Sequence, residues 1–363
     1  MAQAAAQATS SGARIPAAAI AAFITDAMIA VGLPDADAQM TAELMTEADL
    51  VGADAHGVFR LPQYVRRIRA GGVNPRANIT VSKTAPATAL VDGDNGMGHL
   101  VMQRAADTAV ALAKDNGVAW VGAQRSNHAG AAGVYAAMAL PHDMVGIYAV
   151  VANANHMPLH GGAENLLGTN PIAVAIPAGQ EAPVVLDIAT TVVSYGTVKA
   201  HKLQNKPMPE GWMVNPADGK PLTDSARSAE GLLLPIGGHK GSGLALVLGL
   251  LAGTLNGAAF GRDVIDFNYN DSDACDTGHF IIALDVARFL PVAAFKAEID
   301  RQLRDLKASK PLPGFDAVRL PGEQRRIRRA ERARDGVPVF PEVVDQLDKL
   351  AGELKIKPLR ERA

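Results

Sequence analysis

The segment from Asp54 to Tyr64 carries three side chains that could together perform acid–base chemistry on a carboxylate. His56, Arg60 and Tyr64 are four residues apart, a spacing that places them on one face of an α-helix. Arg binds a planar carboxylate through two hydrogen bonds, and His exchanges a proton near neutral pH. Pro62 lies inside the pattern and lacks an amide proton, so the helix begins late or kinks there. The spacing alone fits a substrate-binding cluster and a solvated helix face equally well.

A second candidate histidine follows a predicted buried strand. Residues 118–122 form that strand, and His128 comes shortly after it in a polar turn. A polar turn between a strand and the small residues that open a helix is a common place for a catalytic side chain. The small residues that follow leave room for a ligand: Ala129, Gly130, Ala131 and Ala132. We therefore interpret His128 as a functional residue, with a turn-capping role as the alternative.

A glycine-rich loop at 237–243 contains His239 and Lys240 and precedes a long apolar stretch. Backbone amides at a helix start, with a lysine beside them, are a plausible phosphate cradle. The order of residues matches neither the dinucleotide fingerprint G-x-G-x-x-G nor the P-loop, so we infer neither fold. Residues 241–261 carry no charge, but their glycines and Asn256 favour a fully buried helix followed by a turn over a membrane span.

The arginine-rich run at 324–334 has two interpretations. It is either a charged helix face or a helix whose first turn binds a cofactor phosphate, and we favour the charged face. A metal site is not predicted. His156 and His160 are four residues apart, but Pro158 and the glycine pair after His160 make that stretch a loop without a completed ligand set.

Composition limits the class of protein. The chain has 363 residues, of which 48% are hydrophobic and 20% charged, which predicts a well-cored protein with two lobes or one large interleaved body. A net charge of −2 argues against a nucleic-acid partner. The single cysteine, Cys275, excludes an internal disulfide and fits a reducing cytoplasm. Residues 1–13 are predicted to be a flexible start and not a signal peptide.

Hydrophobic periodicity places the main elements along the chain. Helices are predicted at 15–31, 35–51, 100–114, 292–309, 324–334 and 341–355, and strands at 80–82, 87–91, 118–122, 144–152, 172–176, 184–186 and 280–286. The protein is therefore predicted to be α/β, with a helical pair leading into the His56 segment.

Several segments together resemble the malate/L-lactate dehydrogenase-like oxidoreductases, a group distinct from the Rossmann lactate and malate dehydrogenases. The resemblance runs in order from about residue 15 to about residue 335 and rests on six motifs: Asp54-Ala55-His56-Gly57-Val58-Phe59-Arg60-Leu61-Pro62, Ser126-Asn127-His128, Gly168-Thr169-Asn170-Pro171, Asp187-Ile188-Ala189-Thr190, Gly238-His239-Lys240-Gly241-Ser242-Gly243 and Pro321-Gly322-Glu323. Six motifs in one order are far more specific than any single motif.

The resemblance implies a homodimer with a non-Rossmann nicotinamide-binding fold, built on a central mixed or antiparallel sheet with helical N- and C-terminal parts. The expected parts are 14–85, which carries the substrate-site helix, 86–320, which carries the sheet, and 321–363, whose helices pack back on the body. A small carboxylate substrate would lie against Arg60, Tyr64 and Thr169. NAD or NADP would contact His128, Ala129, Gly130, Ala131, Ala132, Asp187, Ile188, Ala189, His239, Lys240, Gly322 and Glu323. Either His56 or His128 would exchange the proton.

The expected activity is hydride transfer between NAD(P)H and C2 of a small 2-oxo or 2-hydroxy acid. The enzyme is expected to be cytoplasmic, to need no metal ion and not to bind a membrane. Two departures bear on it. The imino-acid reductases of the group carry a serine where this chain has Ala55 and an aspartate that aligns with Thr197. Their absence argues against the first alternative, an NADPH-dependent reductase of a cyclic imino acid. Because the serine is also common in the hydroxy-acid enzymes, Ala55 keeps open a second alternative, a non-catalytic nucleotide-binding relative.

Overall fold

The computed structural model describes residues 12–362. The predicted flexible start at 1–13 lies outside the described residues except for its last two, and Ala13 already belongs to a strand. The α-helices are α1 (Ala17–Ala30), α2 (Asp35–Leu50), α3 (Leu61–Ala70), α4 (Gly98–Asn116), α5 (Ala132–Ala137), α6 (Tyr195–Leu203), α7 (His239–Ala252), α8 (Val292–Lys307), α9 (Glu323–Asp335) and α10 (Pro341–Leu354).

The strands are β1 (Ala13–Ile15), β2 (Thr80–Ala85), β3 (Thr88–Asp92), β4 (Val118–Ser126), β5 (Met144–Val150), β6 (Ile172–Ile176), β7 (Val184–Ile188), β8 (Met213–Val214), β9 (Leu232–Leu233), β10 (Thr277–Asp285) and β11 (Val337–Val339). Each helix and strand predicted from hydrophobic periodicity is present, with ends shifted by up to four residues. The short pieces β1, β8, β9 and β11 were not predicted, because two or three residues are too few to show a period.

The chain divides into two compact units, the first formed by residues 1–69 and 324–363. Within it, α1 and α2 pack against each other, and β1 pairs antiparallel with β11 so that Ala13 lies opposite Val339. Arginines of α9 are ion-paired in this unit: Arg329 binds Glu47 at 2.7 Å, and Arg332 binds Asp54. This part of the arginine run is therefore a paired, charged helix face.

The second unit, residues 70–323, is built on a seven-stranded sheet. Its strand order is β2-β3-β4-β10-β5-β6-β7. β3 and β4 are parallel and are connected through α4, whereas the other neighbouring strands of the sheet are antiparallel. The predicted α/β fold with a mixed central sheet is confirmed.

Helix α7 packs against the middle of this sheet, and the contacts in this region show why a glycine is needed on the facing strand. Leu248 and Ala252 of α7 join Ala149, Val151 and Phe280 in one buried cluster. The missing side chain of Gly122 leaves space for the Asn256 amide, which donates to the carbonyls of Ala252 and His279, each at 2.8 Å. Close approach of this kind replaces the bulky aromatic packing that the chain lacks.

The prediction of a fully buried helix after the glycine-rich loop is wrong. The face of α7 on the sheet is buried, but Val247 is 51% exposed and Leu250 is 43% exposed, and Leu255 just beyond the helix is 62% exposed. The lack of charged residues correctly indicated an apolar helix. An apolar helix can still have a face that its own chain does not cover, as α7 does.

His56, Arg60 and Tyr64 do not share one helix face, and the late helix start expected from Pro62 is observed. Separate 3-10 turns carry the first two, at Asp54–His56 and Val58–Arg60, and α3 begins only at Leu61. Gly57 between the turns has ψ −143°, which is not helical. Its backbone lies against the carboxyl group of Asp49, which accepts a hydrogen bond from the Val58 amide at 2.9 Å.

Helices long and apolar enough to cross a bilayer are absent from residues 12–362.

Candidate active site

In the first unit, the backbone around the His56 turn holds Arg60 in place. The Arg60 Nε donates to the carbonyl oxygen of Ala55 at 2.9 Å, and Nη1 donates to Oε1 of Gln63 at 2.7 Å. Tyr64 is 2% exposed and interacts electrostatically with the guanidinium. Burial lowers the pKa of Arg60 and raises the pKa of the Tyr64 phenol. The turn therefore presents an oriented guanidinium next to a neutral phenol.

Asp49 lies under the same turn and is 2% exposed. Burial raises the pKa of its carboxyl from 3.8 to about 8, although the hydrogen bond from the Val58 amide opposes that shift. At neutral pH this carboxyl is therefore largely protonated. Asp49 supports the segment from Gly57 to Val58, which directly follows His56.

Replacing Asp49 by Asn tests this protonation. Since the carboxyl has a higher pKa in the folded protein than in the unfolded chain, the stability it contributes is complete below about pH 4 and is lost as pH rises through about 8. Asn keeps an acceptor for the Val58 amide and does not ionise. We expect Asp49→Asn to gain stability relative to the wild type between pH 5 and pH 8, by on the order of a few kcal/mol.

Urea unfolding of both proteins at the two pH values measures this difference. A wild-type protein that became more stable relative to Asp49→Asn as pH rises would contradict the assignment of a protonated Asp49.

In the second unit, His128 follows β4 in a turn held by several contacts. The side-chain amide of Asn127 donates to the backbone carbonyls of Asn95 at 3.1 Å and Gly96 at 3.0 Å. The His128 ring stacks on Phe267 with 5.0 Å between centroids, and its Nδ1 accepts a hydrogen bond from the Gly130 amide at 3.3 Å. An Nδ1 that accepts carries no proton, so the proton of the neutral ring is on Nε2.

Gly98, the first residue of α4, allows this turn to lie close to the helix. A Cβ at this position would overlap the carbonyl oxygen of Asn127 and the backbone of His128. We expect Gly98→Ala to displace the His128 turn, to lower the free energy of unfolding by about 1–3 kcal/mol, and to reduce turnover. Urea unfolding and steady-state kinetics measure the two effects.

Gly352 in α10 is the matched control, because a Cβ there meets no atom within 4 Å. We expect Gly352→Ala to raise the stability by about 0.5–1 kcal/mol through helix propensity and to leave turnover unchanged. Equal behaviour of the two variants would contradict the close-packing argument at Gly98.

Thr190 joins three of the predicted cofactor and substrate segments. Its amide and its hydroxyl both donate to the carbonyl oxygen of Thr169, at 3.0 and 2.9 Å. Its own carbonyl accepts from the amide of Ile236 at 2.9 Å, just before the glycine-rich loop. The carboxylate of Asp187 accepts from the Gly133 amide at 3.1 Å, which brings in the start of α5. Ile188 and Ala189 lie between these contacts.

The glycine-rich loop ends in the N-terminus of α7. Gly237 and Gly238 have φ values of +60° and +64°, and a Cβ on Gly238 would meet no atom within 4 Å. His239 and Lys240 in the first turn of α7 are exposed. The amides of Lys240 and Gly241 already donate to the carbonyls of Gly237 and Ile236, at 3.4 and 2.9 Å. The features of this helix start that suit an anionic group are therefore the exposed Lys240 side chain and the open space beside Gly238.

Gly322 and Glu323 lie beside β7, and they have different roles. Pro321 accepts a hydrogen bond from the Val185 amide at 3.3 Å, and a Cβ on Gly322 would lie 2.9 Å from the Val185 carbonyl oxygen. Glu323 is ion-paired with Arg319 at 3.0 Å and with Lys307 at 3.6 Å. Its carboxylate therefore stabilises the start of α9, while Gly322 keeps this segment close to the strand that carries Asp187.

The structure thus brings together, within the second unit, the segments around His128, Thr169, Asp187, His239 and Gly322. Groups of three or more His, Cys, Asp or Glu side chains suited to a metal are absent from the described part of the chain. His160 and His239 lie edge to face with 5.8 Å between their ring centroids, which is a pair only.

Sequence reasoning missed a buried polar group behind the His128 turn. Tyr148, His279 and Ser126 are hydrogen-bonded in a row and are at most 1% exposed. One signal was present in the sequence, because His279 is a polar residue directly before the apolar run 280–284 of β10. A lone histidine in such a strand indicates a buried hydrogen-bond partner, but it does not identify that partner.

Comparison with known proteins identifies the family of the chain. A family model described as malate/L-lactate dehydrogenase matches residues 15–348. Malate dehydrogenase from Pyrococcus horikoshii is 36% identical over 357 residues, which cover 95% of this chain and 97% of the relative. The solved structure of malate dehydrogenase from Pyrococcus horikoshii OT3 matches with a TM-score of 0.87 and 33% identity, over 96% of this chain and 97% of that one.

Two further relatives have names that include a cofactor. Ureidoglycolate dehydrogenase (NAD(+)) of Escherichia coli strain K12 is 32% identical over 326 residues, covering 90% of this chain and 92% of the relative. (2R)-3-sulfolactate dehydrogenase (NADP(+)) of Chromohalobacter salexigens is 32% identical over 323 residues, covering 88% and 93%. The resemblance predicted from six motifs is confirmed: the chain belongs to the malate/L-lactate dehydrogenase family of oxidoreductases.

Proposed function

We propose that this chain transfers a hydride reversibly between NAD(P)H and C2 of a small 2-oxo acid, and so acts as a 2-hydroxy-acid dehydrogenase. The observation that carries the proposal is the hydrogen bonding at Thr190, which joins the Thr169 segment, the strand end after Asp187 and the chain leading into α7. Relatives named malate, ureidoglycolate and sulfolactate dehydrogenase support the substrate class. Relatives named with NAD(+) and with NADP(+) support the cofactor class.

The residues of the second unit fit a dinucleotide. The exposed Lys240 side chain at the N-terminus of α7 would bind its phosphates, and the segment at 129–132 would contact its rings. When bound, the reduced nicotinamide supplies the hydride. Asp187 keeps the start of α5 next to β7 through the Gly133 amide, so it maintains the shape of this surface.

The remaining roles are assigned to polar side chains. Arg60 binds the substrate carboxylate, because its guanidinium is already oriented by the Ala55 carbonyl and Gln63. Tyr64 is buried beside Arg60 and supports that orientation. Thr169 contacts the substrate from its turn before β6. His56 or His128 donates the proton to the oxygen at C2, and we retain both candidates.

A cofactor-oxidation assay tests the proposal. Purified protein is mixed with NADH, and separately with NADPH, and a panel of 2-oxo acids together with pyrroline- and piperideine-2-carboxylate is added. We expect the absorbance of one reduced cofactor to fall with at least one oxo acid. Oxidation with the cyclic imines alone would move the chain to the reductase alternative. Cofactor binding without any oxidation would indicate a non-catalytic relative.

We further propose that the chain forms a homodimer, as the resemblance implies, through the exposed apolar face of α7. Val247 and Leu250 expose about half of their surface on a helix without charge beyond its first turn, and such faces mark interfaces.

Light scattering should give twice the chain mass, and the double variant Val247→Glu, Leu250→Glu should give the monomer mass. Leu312→Glu, at a site 72% exposed, is the control that should stay dimeric. A wild-type monomer would contradict the proposal.

We also propose that the protein is located in the cytoplasm, a reducing compartment. The only cysteine of the chain, Cys275, is buried and has no second cysteine with which to form an internal disulfide, which suits a compartment where disulfides do not form.

A further inference from the structure

A row of three buried side chains crosses the central sheet behind the His128 turn. The Tyr148 hydroxyl on β5 is 2.9 Å from Nδ1 of His279 on β10, and Nε2 of His279 is 3.1 Å from Oγ of Ser126 at the end of β4. Tyr148 is 1% exposed, and His279 and Ser126 are 0% exposed. The three strands are neighbours in the sheet, with β10 between the other two.

The hydrogen bonds of this row have a single consistent direction. Ser126 Oγ donates to the carbonyl oxygen of Asn127 at 3.4 Å, so the serine oxygen accepts from His279 Nε2. Burial lowers the pKa of His279 to about 3, and the neutral ring has one donor and one acceptor nitrogen. Nδ1 therefore accepts from the Tyr148 hydroxyl. The donors follow one another from Tyr148 to His279, and His279 reaches the Asn127 backbone both through Ser126 and by a direct hydrogen bond.

The row ends on the residue directly before His128, and Tyr148 also supports the other side of that turn. The rings of Tyr148 and Tyr135 are 5.2 Å apart, and the Tyr135 hydroxyl donates to the carbonyl oxygen of Ala129. The carbonyls on both sides of His128 are thus held by side chains that meet at Tyr148. A rotation of either peptide would change the direction in which the imidazole points.

We propose that Tyr148, His279 and Ser126 are positioning residues that fix the orientation of His128 for turnover. This proposal rests on the proposed dehydrogenase function. It assigns the three residues no contact with substrate or cofactor. They act through the Asn127 and Ala129 carbonyls, and a small misplacement of a catalytic group lowers rate more than it lowers binding.

Single-atom changes at the two ends of the row test the proposal. Tyr148→Phe removes only a hydroxyl far from His128 along the row, and Ser126→Ala removes only the hydroxyl next to it. We expect each to lower kcat by about 10–100-fold, with the KM for the cofactor changed by less than about threefold. His279→Gln, which can retain a donor near the Nε2 position, should keep more of the kcat than His279→Leu.

Two controls separate positioning from general weakening of the fold. Thr41→Val removes another fully buried hydroxyl, on α2, and should leave kcat unchanged even if it alters the melting temperature. In the His128→Ala background, Tyr148→Phe should cause no further loss, because its effect passes through His128. If Tyr148→Phe fails to fold, Ser126→Ala provides the same comparison.

The outcomes are distinguishable from failure of the proposed function. A wild-type protein that oxidises no reduced cofactor with any oxo acid overturns the dehydrogenase proposal. An active wild type with Tyr148→Phe and Ser126→Ala both within about twofold of its kcat overturns the positioning proposal alone. A full additional loss from Tyr148→Phe in the His128→Ala background also overturns it.

Discussion

Removing the imidazole that donates the proton is expected to lower kcat by about 10²–10⁴-fold, which corresponds to about 3–5 kcal/mol of transition-state stabilisation. The variants are His56→Ala and His128→Ala. For the second, the Gly130 amide is hydrogen-bonded to Nδ1, so we expect proton exchange with the substrate at Nε2, with the ring donating as an imidazolium. His128→Gln, which can place an amide donor near Nε2, should therefore retain more activity than His128→Ala if His128 is the donor.

Steady-state kinetics of the variants with the best oxo acid make the comparison. The variant without the true donor should lose its dependence of kcat on pH near neutrality, whereas the other should keep it. His142→Ala, at an exposed histidine beside β5, is the matched control and should retain full kcat. Near-full turnover in both His56→Ala and His128→Ala would contradict the assignment of proton transfer to either residue.

The second large effect is expected at Arg60. Replacing it by Ala removes a charge-assisted partner of the substrate carboxylate, which typically costs about 2–5 kcal/mol, or about 30-fold to several thousand-fold in kcat/KM. Arg60→Lys should recover little of this loss, because an ammonium cannot bind the Ala55 carbonyl, Gln63 and a carboxylate with the geometry of a guanidinium. The KM for the cofactor should change far less than the KM for the oxo acid.

Arg69 near the end of α3, the helix that directly follows the Arg60 turn, is a suitable control for Arg60. Its guanidinium is 3.5 Å from Glu353 in an exposed ion pair, and such pairs contribute little. Arg69→Ala should therefore leave kcat/KM unchanged. Comparable losses in Arg60→Ala and Arg69→Ala would indicate that α3 as a whole has been disturbed, and a normal substrate KM in Arg60→Ala would contradict the carboxylate-binding role.

Much of the fold could be predicted from the sequence because long amphipathic helices and apolar strands have clear periods. The turn at His56 could not. Its conformation is set by Gly57 lying against Asp49, a contact that the helical spacing of His56, Arg60 and Tyr64 does not reveal. The pairing of β1 with β11 joins residues more than three hundred positions apart, and no local pattern marks it.

The sequence predicted which segments form the candidate site, but it did not predict how these segments are arranged in space. The motifs identified the segments at His128, Thr169, Asp187 and His239. The contacts that join the last three are made mostly by backbone groups of Thr169, Thr190 and Ile236, with one donated by the Thr190 hydroxyl. Backbone hydrogen bonds leave little trace in side-chain identity. The row formed by Tyr148, His279 and Ser126 was missed for a related reason, since its members lie on three strands and are hydrogen-bonded across more than one hundred residues.

Hydride transfer to C2 of a 2-oxo acid is tested most directly by isotope transfer. NADH or NADPH deuterated at C4 is incubated with the protein and with the oxo acid that oxidises it, and the product is analysed by proton NMR and mass spectrometry. The proposed function predicts a single enantiomer of the 2-hydroxy acid that carries deuterium at C2 when the label is on the transferred face. Product without deuterium from either labelled face of the cofactor would contradict direct hydride transfer and, with it, the central claim.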